Sequence, residues 1–162
     1  MTLVSKILEA IELGVFLITD NEEFGLLGAE AFVEYYPNLD DIGLIINWEA
    51  RGNSGPSLTF EISPDNGWLM REYAKGAAYP IANSMTYEIY KLLPNDTDYT
   101  MFREKEVPGI NNAFSKGHVY YHSMADSQEN ISQARFQHHG SNMLSRTRHF
   151  GNLDWPTETK AP

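Results

Sequence analysis

The chain has 162 residues, 42% hydrophobic and 21% charged, the balance of one soluble globular domain rather than a disordered or fibrous chain. Acidic residues number 22 against 12 basic ones, and the net charge of -10 argues against a nucleic-acid surface, which needs clustered Lys and Arg. No cysteine is present, which excludes disulfides, thiolate metal sites and cysteine nucleophiles and leaves His, Asp and Glu to hold any metal.

Residues 1–10 lack the basic region and long apolar core of a signal peptide, and no apolar run approaches the roughly 18 residues that span a bilayer. No membrane segment is therefore expected within this chain. Apolar residues at helical spacing (Leu3, Ile7, Leu8, Ile11) predict a helix over 4–13 that Gly14 can end. Residues 15–19 form a short apolar run, expected as a buried strand. Asp20 and Asn21 are turn and cap residues, and Glu22 and Glu23 suit the positive end of a helix running from about Glu23 to Tyr35, before Pro37.

A second continuous apolar run, 42–48, predicts another buried strand, and 51–56 a Gly-rich loop. Alternation over 57–62 predicts a strand and 66–78 a helix. The stretch 80–96 is mixed. Asp98 is expected to cap a helix reaching Lys105, 110–114 to form a strand, and 132–150 the last helix. Helices alternating with buried strands predict a layered α/β/α fold with a mostly parallel sheet. It occupies residues 1–150, with 151–162 as a tail.

Sites in such sheets form at the carboxyl ends of strands. Three features fall there: 20–23 after the first strand, Glu49 after the second, and Tyr121 with His122 in the loop after strand 110–114. Carboxylates and an imidazole converging on one point are a zinc ligand set, with a further carboxylate as base. Each feature also has a structural account. A Glu-Glu pair suits a helix dipole, Glu49 has Arg51 nearby, and a Tyr-His pair often packs in a loop. His138 and His139 are neighbours in a helix and point in different directions, so they read as structural, as do His118 and His149.

The run Thr19-Asp20-Asn21-Glu22-Glu23-Phe24-Gly25-Leu26-Leu27-Gly28-Ala29 resembles the Glu-Glu signature of the M28 family of zinc exopeptidases. Ile46-Asn47-Trp48-Glu49-Ala50-Arg51-Gly52 resembles that family's third acidic segment. Tyr120-Tyr121-His122-Ser123, with Asp126, Glu129 and Asn130, resembles its closing Tyr-His segment. The three occur in the family's order, and the likeness runs from about Leu3 to Leu153. It is closest to the subgroup whose third ligand is Glu, often found in membrane-anchored or multi-pass proteins.

The resemblance implies hydrolysis of N-terminal peptide bonds by metal-activated water. Glu22 matches the general base. Glu23 and His122 match ligands of one zinc, Glu49 a ligand of a second, and Tyr121 the hydroxyl that stabilises the oxyanion. Asp98 and Asn111 are further candidate pocket residues. The family has two more ligands upstream of the Glu-Glu pair, a His and a metal-bridging Asp. No histidine precedes Glu22 here, and Asp20 is the only aspartate that does. The expectation is therefore a domain incomplete at its N-terminus, binding zinc weakly and inactive as it stands, with an exposed sheet edge open to oligomerisation. Two other readings stay open: a non-catalytic binding module on the same fold, and a relative that cyclises N-terminal glutamine. A membrane-associated or extracytoplasmic location and a peptide substrate follow from the resemblance alone.

Overall fold

The computed structural model describes residues 14–154. The helix expected over 4–13 and most of the 151–162 tail lie outside them. Among the described residues are three strands, β1 (Ile45–Ala50), β2 (Ser54–Ile62) and β3 (Gly109–Lys116). Five α-helices accompany them: α1 (Leu27–Tyr35), α2 (Gly67–Gly76), α3 (Ser84–Tyr90), α4 (Tyr99–Glu104) and α5 (Gln133–Gly151). The sheet order is β1-β3-β2. β1 runs parallel to β3, and β2 runs antiparallel to it. The α/β class follows from the sequence pattern, and the sheet is mixed, split evenly between the two kinds of pairing.

Side chains alternate across β3 and divide the core in two. Ile110 points to one face and packs with Leu69 and Tyr73 of α2 and Phe150 of α5. On the opposite face Ala29 and Val33 of α1 pack with Tyr99 and Phe102 of α4. A smaller cluster, Phe60, Tyr90 and Ala113, ties α3 to β2 and β3. The three layers are α2/α5, the sheet, and α1/α3/α4.

Two local expectations are corrected. Residues 15–19 join no strand, and Ile18 is 95% exposed. An apolar run is buried as a strand only when a sheet edge pairs with it. Here a groove of about 1090 Å³ separates this segment from β1, so its backbone stays outside the sheet. Asp98 makes no capping bond to α4. Its carboxylate instead accepts a hydrogen bond from the Thr19 hydroxyl, pinning 15–19 to the α4 layer.

The helix expected from Glu23 is split. Glu22–Phe24 forms a 3-10 turn, Gly25 and Leu26 take positive φ, and the α-helix begins at Leu27. Gly28 returns its N–H to the Asp20 carbonyl at 3.1 Å. A Cβ on Gly28 would sit 2.6 Å from that carbonyl oxygen and 2.7 Å from the Asp20 nitrogen, both rigid backbone atoms. Gly28→Ala is therefore expected to destabilise the fold by about 1–3 kcal/mol, seen as a melting temperature several degrees lower. An unchanged melting temperature would show that the turn carrying Glu22 and Glu23 is not clamped by this contact.

Candidate active site

The tight turn after Asp20 projects Glu22 and Glu23 over the carboxyl end of β1. Asn21 (φ 57) and Leu26 (φ 61) flank it in the left-handed region, which is costly for Leu and typical of a segment held by its surroundings. Glu49 lies near the end of β1, in register with Ala113 of β3, and faces the α3/α4 layer. After Glu49 the chain crosses the end of β3, where a Cβ on Gly52 would come within 2.4 Å of the Lys116 carbonyl oxygen. That crossing carries Arg51 to the mouth of the site. Successive turns from Gly117 bring Tyr121 and His122 across from the other side, with His122 at φ 55.

Glu22, Glu23, Glu49, Arg51 and Tyr121 line one open cleft of about 560 Å³. His122 joins through Glu23: its Nε2 lies 2.7 Å from the Glu23 carboxylate, with both side chains roughly half exposed. The Tyr121 and His122 rings stack with centroids 3.8 Å apart. The Arg51 guanidinium lies over the Tyr121 ring at 5.8 Å instead of pairing with Glu49.

The electrostatics follow from this crowding. Burial, then repulsion from Glu49, Glu23 and Asp98, push the Glu22 carboxyl up to about 7, partly offset by His122. Burial also raises the proton affinity of Glu49, against a hydrogen bond from Asn47. The Tyr121 hydroxyl is shifted upward, first by burial and then by Glu23 and Glu22, so it keeps its proton and remains a donor. A bound cation would reverse both carboxylate shifts.

Beneath the cleft runs a polar chain that motif reading does not reveal. Asn47 Nδ2 donates to Glu49 Oε1 at 3.1 Å and to Asn111 Oδ1 at 3.0 Å. Asn111 is fully buried and donates to Glu61 at 3.0 Å and to Thr97 at 2.7 Å. Arg103 closes the chain by donating to Glu61. Asn111 thus supports Glu49 from below and does not line the cleft. The available signal was Asn47, a polar residue two before Glu49 and so on the same strand face. Asp98 is buried beside Glu22 and Glu49, and its Oδ1 has no hydrogen-bond partner among the described residues. His149 bonds Glu72 at 2.9 Å on the other side of the sheet, and His118 lies on the cleft wall.

An imidazole beside carboxylates is the donor chemistry zinc takes, and the Glu23–His122 contact holds two such donors together. In number the set falls short: among the described residues no three His, Asp or Glu side chains could hold one ion. In kind, then, Glu23 and His122 suit a metal, and in number they fall short of a complete site.

The family model for peptidase family M28 matches residues 12–147. The chain is 32% identical to endoplasmic reticulum metallopeptidase 1 of Homo sapiens over 143 residues, 86% of this chain and 16% of that protein. It is 33% identical to putative endoplasmic reticulum metallopeptidase 1-B of Caenorhabditis elegans over 138 residues, 83% of this chain and 15% of that protein. It is also 33% identical to a vacuolar membrane protease of Candida dubliniensis over 141 residues, 86% and 14% of the two chains. The chain belongs to peptidase family M28 and is related to metallopeptidases. It spans about one sixth of the length of these relatives. Among the described residues no helix is long and apolar enough to cross a membrane.

Proposed function

We propose that this chain supplies the substrate cleft and part of the metal centre of a zinc aminopeptidase. The observation that carries the reading is the gathering of Glu22, Glu49 and Tyr121 in one cleft with Glu23, whose carboxylate lies 2.7 Å from His122. Glu22, the carboxylate of the pair that does not contact His122, suits the group that takes and returns a proton in each turnover. Glu23 and His122 would hold one zinc and Glu49 a second. When bound, zinc would acidify water and polarise the peptide carbonyl.

The chain's own side chains do the rest. Glu22 accepts the proton of the attacking water and passes it to the leaving amine. The Tyr121 hydroxyl, kept protonated, donates to the oxygen that becomes negative as water adds. Asn47 and Asn111 hold Glu49 in place. The carboxylates together favour a substrate carrying a free amino terminus. The names of the relatives support an endoplasmic reticulum or vacuolar membrane setting.

A catalytic zinc normally has three protein ligands and one open position. The chain by itself is therefore expected to bind zinc weakly and to turn over little substrate. Calorimetric zinc titration beside an assay on aminoacyl amides tests this. Weak zinc binding, further weakened by Glu23→Gln and by His122→Ala, supports the ligand assignment. Tight binding of two zinc ions per chain would refute it. Hydrolysis indifferent to a chelator, in any form of the protein that is active, would end the metallopeptidase reading. A binding module without catalysis is favoured by one observation, the absence of a three-ligand cluster among the described residues. It would be supported if every metal-loaded form proved inert.

A further inference from the structure

The cleft is acidic except at one corner. Glu22, Glu23, Glu49 and Asp96 belong to its lining, and Asp96 accepts a hydrogen bond from the Thr100 hydroxyl of α4 at 3.2 Å. Arg51 and His118 are the basic side chains of the same lining. Two chain segments that touch build this corner. The Arg51 N–H donates to the Phe114 carbonyl at 3.2 Å as the chain leaves β1. Gly52 (φ 129) then passes so close to the segment after β3 that a Cβ there would lie 3.1 Å from the His118 nitrogen. The backbones that carry Arg51 and His118 are thereby kept in contact. Neither side chain is used by the fold. The Arg51 guanidinium rests on the Tyr121 face and makes no hydrogen bond or ion pair with a described residue, and the His118 ring makes none either. Both residues are exposed, so their donors are open to a ligand.

We infer that Arg51, with His118, binds a carboxylate carried by the residue after the scissile bond, as in a dipeptide. The inference deepens the aminopeptidase reading above and rests on it for the direction of the substrate. The terminal ammonium goes to the carboxylates, the peptide carbonyl lies at Tyr121, and the far carboxylate reaches the guanidinium. The spacing suits a short peptide. Arg51 lies 5.8 Å from the Tyr121 ring, that ring 3.8 Å from the His122 ring, and His122 2.7 Å from the Glu23 carboxylate. The two ends are thus a pair of ring contacts apart. An extended peptide advances about 3.3–3.6 Å per residue, so two or three residues cover such a span. Arginine's planar fork meets a carboxylate through two parallel N–H donors, and an imidazole N–H adds a third. The net charge of -10 and the cleft's own acids repel a further negative charge, so any advantage for a carboxylate has to come from this corner. A C-terminus and an acidic side chain offer the same chemistry, and suitable probes separate them.

The test is NMR titration of the 162-residue chain, without metal, with three probes: L-alanyl-L-alanine, its C-terminal amide, and the α-amide of L-alanyl-L-aspartate. The expected result is a carboxylate probe bound about fivefold or more tightly than alanylalanine amide. A gain for alanylalanine names the C-terminus as the source, a gain for the aspartyl amide names the side chain, and either supports the site. Arg51→Gln brings the ratio of acid to amide affinity down to about one or below. Arg51→Lys keeps part of the ratio, because it retains the charge and loses the fork. His118→Ala lowers it by a smaller factor, about twofold. Equal affinity for all three probes overturns the inference. So does failure of both carboxylate probes to bind at about 10 mM. So does a uniform loss of acid and amide binding in Arg51→Gln, which is what a mere prop for Tyr121 would give. The two readings fail separately. If the metal-loaded protein hydrolyses no peptide yet the carboxylate advantage depends on Arg51, catalysis is refuted and the carboxylate site stands. If alanylalanine and its amide are hydrolysed alike, with or without Arg51, the carboxylate site is refuted and catalysis stands.

Discussion

Glu22→Gln, measured in metal-loaded active protein, is expected to lower kcat by about 10²–10⁴-fold while zinc content and KM stay near the parent values. The substitution keeps the size of the side chain and removes its ability to accept a proton. Glu22 lines the cleft together with Glu49 and Tyr121 and bonds no other side chain among the described residues, so its amide disturbs no ion pair there. Glu23 differs in one decisive respect, its 2.7 Å contact with His122. Glu23→Gln should therefore lower zinc content first and activity as a consequence, and excess zinc should restore part of that activity. Glu22 and Glu23 follow one another in a 3-10 turn, where neighbouring side chains diverge, so one can hold a metal while the other faces the bound water. Loss of zinc with Glu22→Gln and its retention with Glu23→Gln would exchange the two roles.

How much of this was legible from sequence depends on how far each contact reaches along the chain. The run 42–48 marked a strand because continuous apolar character suits a strand covered on both faces, and Glu49 is part of β1, one residue from its end. The same logic failed at 15–19. Periodicity reports what a segment is able to pair with, and the groove beside β1 leaves these residues no partner among the described ones. The α/β class was readable from the alternation of elements. The antiparallel placement of β2 was not, because it depends on how residues 51–53 cross the end of β3, where Gly52 passes the Lys116 carbonyl.

The grouping of Glu22, Glu23 and Glu49 was read from their shared position after strands and from family resemblance. The support beneath them was hidden. Asn47 and Asn111 are 64 residues apart, and each taken alone is only a polar residue in an apolar strand. His138 and His139 were read as structural because adjacent helical residues diverge. Yet both reach Ser57: His138 Nδ1 accepts from its backbone N–H at 3.2 Å, and His139 Nδ1 meets its hydroxyl at 2.7 Å. The first bond requires an unprotonated His138 Nδ1.

That pair gives the largest pH effect on stability. Burial, then the charges of Arg146 and His138, push His139 down to about 4. Burial and the charges of Arg135 and Arg146 also lower His138. The His139 ring is wedged between Phe114 at 4.5 Å and Trp48 at 4.7 Å, so a charge there would lose its water. In the unfolded chain the imidazole titrates near its ordinary 6.5. The fold therefore binds fewer protons than the unfolded state between pH 6.5 and 4. The stability His139 contributes is complete above pH 6.5 and is lost as pH falls towards 4, on the order of 2–3 kcal/mol. Glu22 acts in the opposite sense. Its folded value near 7 lies above the ordinary 4.5, so its contribution is present at low pH and fades as pH rises to 7, reduced by its partial exposure. The two act in opposite directions, so the parent's own pH profile mixes them. The difference between the parent and His139→Gln isolates the imidazole, because Glu22 is common to both and glutamine can still accept from Ser57. Urea unfolding at pH 7.5, 6, 5 and 4 should show the parent ahead at pH 7.5, the gap closing as pH falls, and the variant equal or ahead by pH 4. A gap that stays constant from pH 7.5 to 4 would mean that His139 takes up a proton in the fold as readily as in water, and that its place between Phe114 and Trp48 carries no electrostatic cost.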